Sequence, residues 1–455
     1  MKKNIRNKIL IMIQIILLIL LVGFLLLNMW KKSNHKTEDI SFIKISAKES
    51  ASKYDNINYG TPKLLTKSII KEPGSYTVTG SQECITIDTN GNVQLNLENA
   101  NITCTTGPAI YIISSNVVNI NITGKNNIEA ETTMDLEGAI YSKEDLILTG
   151  KGELTITSNQ DGIVSKDLLV IKNGTYHIKS EADGIKGKDN VWIVEGTYSL
   201  ETNGDGIKST NTENISKGNV IIDNGNFWIK SQSDAIEAAN DLIINDGIFD
   251  ITTFGNANLL SAKGLKSNHH LQIHNGNYTI KANNDGIHSD GSILISKGSL
   301  SIKSSDDAIH ADGLLQIENG TMSMDAKEGL EATTIKIKDG LISIKASDNG
   351  ISVGNKKPDY RIIMMIMGGE ITIDMGPGDS RALDSSHDIL IQGGTIYLNA
   401  DTAFQYYGEA EYTGGTILVN GKKITKIPEK EVVVRQQLPE GQTPPTPPTP
   451  PNQGR

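Results

Sequence analysis

Residues 183–209 read DGIKGKDNVWIVEGTYSLETNGDGIKS, and the phrase that opens this stretch returns at its end. Ile185 and Ile207 are each followed, after one variable residue, by a small residue, Gly187 or Ser209. This period-2 alternation is typical of a short β-strand with two inward side chains and one outward side chain. The stretch therefore contains one complete repeat of about 22 residues and the start of the next.

The same phrase recurs along most of the chain, with an acidic residue, a small residue and an aliphatic residue in fixed order. A second apolar alternation and a turn such as Asn224-Gly225 follow the phrase, because glycine supplies the positive φ of such turns most easily. A third alternation follows the turn, so each repeat predicts three strands and three corners. The small residue of the phrase stands at Ala139, Gly162, Gly184, Gly206, Ala235, Gly264, Gly286, Ala308, Gly329, Gly350 and Ala382.

Stacking these triangular coils predicts an all-β fold. We expect a right-handed, single-stranded parallel β-helix with three strands per coil, about 22 residues per coil and roughly 12 coils. A propeller blade needs roughly 40 residues or more, leucine-rich repeats have their own leucine and asparagine spacing, and calcium β-rolls repeat about every nine residues. None of these patterns fits, so we assign residues 61–428 to one β-helix domain.

The two ends of the chain differ from the repeats. Residues 9–27 are almost continuously apolar, have basic neighbours on both sides and are long enough to span a bilayer. Because no small-x-small cleavage site follows, we interpret residues 1–32 as an uncleaved signal anchor in preference to a cleaved signal peptide. Residues 33–60 are then a linker and residues 429–455 a disordered, proline-rich tail of open role. This organisation predicts a single-pass protein of the cell membrane with the β-helix outside the cell.

Cysteine content and charge set further limits. Cys84 and Cys104 are the two cysteines, and the sequence leaves open whether they form a disulfide or are two buried thiols. The formal net charge is −10, and we expect no nucleic-acid partner. The oligomeric state is left open.

The acidic residues of the phrase predict a column, because equivalent residues of successive coils lie about 4.8 Å apart. Aspartate before glycine is also a common corner residue that accepts hydrogen bonds from the next amides. Carboxylates stacked at this spacing repel by roughly 3 to 4 kcal/mol at an effective dielectric of 20, and a calcium ion would remove that cost. We therefore predict Ca²⁺ as a cofactor, with Asp183, Asp205, Asp234, Glu237, Asp285 and Asp307 as its ligands.

The outward residue of the same strand forms a second column, which is either a solvated mixed-charge face or a surface for an anionic sugar. Long coils at 210–217 and 254–262 bracket part of it, and an insertion at 354–361 could form another wall. Two outward tryptophans could stack on sugar rings or be ordinary surface residues. The predicted ligand-binding residues are Lys186, Lys208, Lys263, Lys266, His288, His310, Trp192 and Trp228.

Three motifs precede the repeated coils: PGSYTVTG from Pro73, VQLNLENANIT from Val93 and GPAIYI from Gly107. In this order they resemble the bacterial extracellular carbohydrate-binding domain family, a parallel β-helix related to the family 9 polysaccharide lyases. The resemblance covers roughly residues 64–419. It implies calcium-dependent binding of acidic polysaccharide such as polygalacturonate, or of cellulose.

In the lyase relatives, an Asp on one coil and an Asp-Asp-x-x-Asp arrangement on the next hold calcium, with a Lys nearby as the base. Here Asp205 is followed by SDAIE at 233–237 and by Lys266, so Ser and Glu replace two of the acids. The second copy keeps the double Asp that ends at Asp307 but places His310 at the last acid. The incomplete sets favour a non-catalytic binding module. The alternatives are a lyase with Lys266 as its base and a structural surface protein or adhesin.

Overall fold

The computed structural model describes residues 44–255, 261–376 and 380–429. The predicted signal anchor, the first part of the predicted linker and residues 430–455 of the predicted tail lie outside these ranges. Within them, no helix is long and apolar enough to cross a membrane. The described chain is almost entirely β-structure, apart from one α-helix, α1 (Ala47–Ala51), and one 3-10 helix (Ser52–Tyr54).

The strands form three ladders of hydrogen bonding, and successive strands of the chain join successive ladders. The first ladder contains β2 (Ile69–Ile70), β4 (Ile85–Asp88), β6 (Ile110–Ser114), β9 (Gly138–Ser142), β12 (Asp161–Ser165), β15 (Ile185–Gly187), β18 (Ile207–Ser209), β21 (Ile236–Ala238), β24 (Leu265–Ser267), β27 (Ile287–Ser289), parts of β30 (Asp307–Ile317), β31 (Thr321–Ile337) and β32 (Leu341–Val353), then β35 (Arg381–Ser385) and β38 (Thr402–Tyr406).

The second ladder contains β1 (Lys63–Leu64), parts of β3 (Gly74–Gln82) and β5 (Val93–Cys104), β7 (Val118–Thr123), β10 (Leu146–Thr149), β13 (Leu168–Ile171), β16 (Asn190–Ile193), β19 (Asn219–Ile222), β22 (Leu242–Ile244), β25 (His270–Ile273), β28 (Ser292–Ile295), the ends of β30 and β31, β33 (Ile363–Ile366), β36 (Asp388–Ile391) and β39 (Ala410–Tyr412). The third contains the ends of β3 and β5, β8 (Lys125–Ala130), β11 (Glu153–Ser158), β14 (Thr175–Ser180), β17 (Thr197–Thr202), β20 (Asn226–Ser231), β23 (Ile248–Thr253), β26 (Asn277–Ala282), β29 (Ser299–Ser304), the starts of β31 and β32, β34 (Glu370–Met375), β37 (Thr395–Asn399), β40 (Thr416–Val419) and β41 (Lys422–Ile424).

Strands three apart along the chain pair in parallel, as β12 does with β15, β13 with β16 and β14 with β17. Equivalent residues of the repeat are in register, since Ile185 pairs with Ile207 and Lys186 with Lys208. At the C-terminal end, β40 and β41 form an antiparallel pair. The long parallel pairing is typical of a parallel β-helix and confirms the predicted all-β, parallel architecture.

Inward side chains of the strands fill one continuous core. In β15, Ile185 is fully buried and the outward Lys186 is partly exposed, as the period-2 alternation predicts. Inside the third ladder, five rings stack with centroids 4.7 to 5.3 Å apart. Each buried ring contributes about 1.5–3 kcal/mol by transfer from water, so this stack is a large stabilising element. The rings belong to Tyr176, Tyr198, Phe227, Phe249 and Tyr278.

Glycine is required at the corners for two different reasons. A Cβ added to Gly206 would lie 2.5 Å from the backbone oxygen of Ala235 and 2.6 Å from a methyl carbon of Ile229. The phrase therefore places a small residue, glycine or alanine, where the neighbouring coil passes close by. Gly225 has a φ of 143°, a conformation that side chains disfavour, so the predicted Asn224-Gly225 turn is confirmed.

Cys84 and Cys104 form a disulfide, which decides between the two alternatives that the sequence left open. Cys84 precedes β4 and Cys104 ends β5. The bridge therefore joins two neighbouring coils close to the N-terminal end of the stack.

The described part of the predicted linker folds back onto the outer face of the second ladder. We call residues 44–57 the N-terminal strap. Its Ala47 packs against Ile221 and Ile243. Asp223 accepts hydrogen bonds from the Ala47 and Lys48 amides at 2.9 and 2.8 Å. These contacts bring the start of α1 to the neighbouring coils of β19 and β22.

The other end of the strap contacts an earlier part of the stack. The Tyr54 hydroxyl donates a 2.5 Å hydrogen bond to Asp145, directly before β10. The Tyr54 ring packs with Ile147 and Val170 of the second ladder. The strap therefore runs across several coils in the direction opposite to their progression along the chain.

Candidate cation and carbohydrate site

The carboxylates of the repeated phrase form the predicted column on the first ladder; Asp183 is partly exposed, and Asp161, Asp205, Asp234, Asp285 and Asp307 are buried. From Asp161 to Asp285, one oxygen of each aspartate accepts a hydrogen bond from the backbone N–H of the equivalent residue one coil later. The Asp183 amide donates to Asp161, the Asp205 amide to Asp183 and the Asp234 amide to Asp205, each at 2.8 Å. The aspartates therefore cap corners, as the corner interpretation expected, but they do so between coils.

The outward column supplies counter-ions to the other oxygen of these carboxylates. The Lys186 Nζ lies 2.5 Å from Asp161 and 3.3 Å from Asp183. The Lys208 Nζ lies 2.5 Å from Asp205 and 2.8 Å from Glu237. Ammonium groups within the two columns therefore offset the repulsion that motivated the predicted calcium ion. We refer to the two columns together as the charge lattice.

Asp205, Asp234 and Glu237 have carboxylate oxygens that all lie within 4.8 Å of one another, so this cluster could hold a metal ion. The all-oxygen donor set fits a hard cation such as calcium. Each carboxylate also has a lysine partner, because Lys266 lies 3.2 Å from Asp234 and 2.6 Å from Glu237. An ion at this position would have to displace Lys208 and Lys266.

Burial and the ion pairs shift the pKa values of this cluster in opposite directions. Burial raises the pKa of Asp205 to about 7, although Lys208 opposes the shift. Burial also disfavours ionised Glu237, but Lys208 and Lys266 outweigh it and lower its pKa to about 2. Burial would lower the pKa of Lys266, yet Asp234 and Glu237 raise it overall, which opposes a role of Lys266 as a general base.

The remaining predicted residues extend the lattice without joining this cluster. Lys263 interrupts the acidic column in sequence, and its Nζ lies 2.6 Å from Asp285 on the next coil. His288 Nδ1 lies 2.8 Å from the same Asp285 carboxylate. Although burial opposes it, these two partners lower the pKa of Asp285 well below its usual range. Asp183 and Asp285 therefore lie in ion pairs outside the Asp205 cluster.

A second cluster lies two coils beyond Lys266 and consists of Asp307, His310 and Glu331. His310 Nδ1 lies 2.7 Å from both Asp307 and Glu331. The rings of His288 and His310 stack with centroids 4.8 Å apart. Although burial opposes it, the two carboxylates raise the pKa of His310 to about 10.

The two predicted tryptophans lie on other ladders. Trp228 is outward on β20 of the third ladder and is 48% exposed. Trp192 is outward on β16 of the second ladder, where it is partly buried against the N-terminal strap. The structure does not bring either ring to the charge lattice.

The sequence analysis missed several residues that complete the lattice. Glu137 pairs with Lys186 at 3.5 Å, although it precedes the phrase position and has no fixed place in the repeat. Lys356 pairs with Glu331 at 2.7 Å. Lys356 belongs to the 354–361 insertion, which the sequence analysis identified as a possible further wall of the site. The repeat pattern could not predict that Lys356 contacts Glu331.

Comparison with known proteins identifies a family and one similar solved structure. The sequence profile of carbohydrate-binding domain-containing proteins matches residues 66–308 and 305–432. Among solved structures, the polysaccharide lyase-like protein from C. thermocellum, in a gadolinium derivative, is similar with 25% identity and a TM-score of 0.38. That alignment covers 50% of this chain and 86% of the other. No curated protein matches the chain. Since the profile covers most of the sequence, the chain belongs to the carbohydrate-binding domain-containing protein family.

Proposed function

We propose that the β-helix is a calcium-dependent, non-catalytic binding module for acidic polysaccharide, with a polymer such as polygalacturonate as its ligand and cellulose as a second candidate. The family supports carbohydrate binding. The position and charge of the lattice support an acidic ligand. For the fold of this module we also propose the finer features predicted from the sequence: a right-handed coil of about 22 residues that is repeated roughly 12 times.

The Asp205, Asp234 and Glu237 cluster is the observation that carries the proposal. Asp205 and Asp234 are buried and Glu237 is partly exposed, so a ligand would reach the cluster through Glu237. Ser261, from the predicted long coil at 254–262, donates a 2.7 Å hydrogen bond to Asp234. Calcium accepts six to eight oxygen ligands, so the three carboxylates leave positions for a uronate of the polymer. The lysines that calcium displaces, Lys208 and Lys266, would then pair with further sugar carboxylates. Binding would thus replace the ion pairs between lysines and protein carboxylates by ion pairs between the same lysines and sugar carboxylates.

The site of action follows from the predicted ends of the chain. The signal anchor predicted for residues 1–32 would hold the β-helix at the outer side of the cell membrane. The proline-rich tail would extend from the opposite terminus of the chain. Both segments lie outside the described residues, so this location rests on the sequence.

Binding of the full-length protein to polygalacturonate, measured by calorimetry with and without calcium, tests the proposal. We expect chelator to abolish binding and calcium to restore it. Glu237→Gln should weaken binding by about tenfold or more, because it removes a carboxylate shared by both lysines and the ion. The matched control is Glu201→Gln, an exposed carboxylate on the third ladder. Binding that is unchanged by chelator would contradict the calcium part.

A structural surface protein is the second candidate, and the capping bonds between coils favour it. If the lattice serves stability alone, calcium will leave the melting temperature unchanged and the protein will bind neither polygalacturonate nor cellulose. Release of unsaturated products that absorb in the ultraviolet would instead support a lyase. Persistence of that activity in Lys266→Ala would exclude Lys266 as its base.

A further inference from the structure

The Asp307, His310 and Glu331 cluster differs in chemistry from the rest of the charge lattice. In the coils of Lys186, Lys208 and Lys266, lysine ammonium groups lie between the carboxylates, as Lys208 does between Asp205 and Glu237. Here an imidazole nitrogen occupies that place. A lysine ammonium competes with a bound cation, whereas an imidazole that has released its Nδ1 proton can itself bind one.

The distances in this cluster suit a metal ion with nitrogen and oxygen ligands. His310 Nδ1 lies 2.7 Å from the Asp307 Oδ2 and 2.7 Å from the Glu331 Oε2. Ligand atoms about 2.1 Å from a transition-metal ion at tetrahedral or octahedral angles are roughly 3.0–3.4 Å apart. The three side chains would therefore need to separate by less than about 1 Å, and the Nδ1 proton would leave to solvent.

The other nitrogen of His310 has the partner that metal-binding histidines usually have. Its Nε2 lies 3.3 Å from Asp312. A carboxylate that accepts the second N–H fixes the tautomer and the orientation of a ligating imidazole. Asp312 thus leaves Nδ1 as the nitrogen available to the ion.

Two buried oxygens without hydrogen-bond donors lie beside the cluster and provide an independent observation. The first ladder places Glu328 opposite Asp307, and Asn349 opposite Glu328 on the next coil. Glu328 Oε2 and Asn349 Oδ1 are buried and have no hydrogen-bond partner. Asn349 is only 7% exposed. A buried acceptor without a donor costs about 1–3 kcal/mol, which a bound cation would remove.

We propose that Asp307, His310 and Glu331 form a site for a divalent transition-metal ion such as Zn²⁺, with Glu328 and Asn349 supplying further oxygen ligands. The site is separate from the proposed calcium cluster, since its residues lie on later coils. The nitrogen ligand sets the chemical class, because calcium prefers oxygen ligands and imidazole suits zinc and its neighbours. Lys356 pairs with Oε1 of Glu331, whereas His310 lies at the other oxygen, Oε2.

Titration with Co²⁺, a coloured substitute for Zn²⁺, tests this site in chelator-treated full-length protein without a histidine tag. We expect visible absorption from one bound Co²⁺ that Zn²⁺ abolishes and Ca²⁺ does not. His310→Gln should remove that absorption, and Glu331→Gln should weaken Co²⁺ binding by about tenfold or more. Circular dichroism will establish that each variant is folded.

His288→Gln is the matched control. His288 stacks on His310, but its Nδ1 lies near one carboxylate, Asp285, whereas Nδ1 of His310 lies near two. The variant should retain the cobalt absorption. Absence of that absorption in the unaltered protein, or its persistence in folded His310→Gln, would overturn the proposal. Glu237→Gln should also retain it while losing polygalacturonate binding. In the unaltered protein, failure of polygalacturonate binding with the cobalt absorption intact would count against the proposed function alone.

Discussion

At the scale of single residues, the aspartate of the repeated phrase serves two neighbours at once. One oxygen of Asp205 accepts the Asp234 amide at 2.8 Å, and the other lies 2.5 Å from the Lys208 ammonium. The first contact holds consecutive coils at their corner, and the second neutralises the charge. Because Lys208 lies on the same coil as Asp205 and Asp234 lies on the next, a change at Asp205 affects two coils.

The sequence predicted the two columns of this lattice but not how they interact. The period of the phrase places Lys186 and Lys208 in register on the outer face, and the structure has them so. Periodicity cannot give side-chain rotamers, and these decide that each lysine turns toward the carboxylates. Contacts from outside the repeat, such as Lys356 to Glu331, have no periodic signal at all.

The lowered pKa of Glu237 predicts how the free energy of unfolding depends on pH in the acid range. Its pKa falls from an ordinary 4.5 to about 2 in the folded protein. Its ion pairs therefore stabilise the fold fully above about pH 4.5, and this contribution is lost as the pH falls through about 2. We expect the free energy of unfolding to decrease by about 1–3 kcal/mol over that window, as urea titrations at several pH values would measure.

Glu237→Gln should flatten this dependence, since the amide does not titrate. Glu201→Gln, whose parent carboxylate is exposed and pairs loosely with Lys230 at 3.6 Å, should retain it. An equal acid response in the two variants would show that Glu237 does not supply this stability.

At the scale of the strands, alternation explains the third ladder almost completely. The sequence predicted a third apolar alternation after each turn, and in β17 its inward residues Tyr198 and Leu200 are buried. The alternation also predicted an outward Trp228. The irregular segments were harder, because the N-terminal strap has no repeat and its helix α1 spans only five residues. Its position depends on tertiary contacts with Asp223 and Asp145.

The stacked rings allow a prediction within one strand. Phe227 stacks between Tyr198 and Phe249, with ring centroids 4.7 Å away on each side. Phe227→Ala would leave a cavity that the adjacent coils cannot close, and it should lower the free energy of unfolding by about 3–5 kcal/mol. Chemical denaturation measures the change. Trp228→Ala, the next residue on the exposed side, is the control and should cost far less.

At the scale of the whole molecule, one hydrophobic core extends from Leu65 to Ile427. Every internal coil buries its apolar side chains against two neighbours, so stability accumulates along the stack. The disulfide strengthens the N-terminal coils, and β41 closes the other end by antiparallel pairing. The sequence repeat predicted the stack of coils. It could not predict how the stack ends, because the disulfide and the antiparallel strand β41 each occur once.

The N-terminal strap gives the prediction at this scale. Asp223 accepts bonds from Ser46, Ala47 and Lys48, so Asp223→Ala removes three contacts that hold α1. We expect trypsin to cleave faster within residues 44–57 while the coils stay resistant, as mass spectrometry of the digest would show. Asp250→Ala, an exposed aspartate of the third ladder, should digest at the original rate. Unchanged cleavage in Asp223→Ala would mean that apolar packing alone holds the strap.

The strap also determines how the molecule responds to pulling. A force that pulls on residue 44 acts first on the hydrogen bonds to Asp223 and on the packing of Ala47 against β19 and β22. These contacts lie on the outer face of the second ladder, away from the terminal coil. The force then passes to Tyr54 and Asp145 before it reaches the first strands. The force is therefore a shear distributed over several coils, and the contacts of the strap must break together. The terminal coil is not unzipped one hydrogen bond at a time. A fibre-like domain pulled from its flank in this way resists mechanical unravelling better than one pulled from its tip.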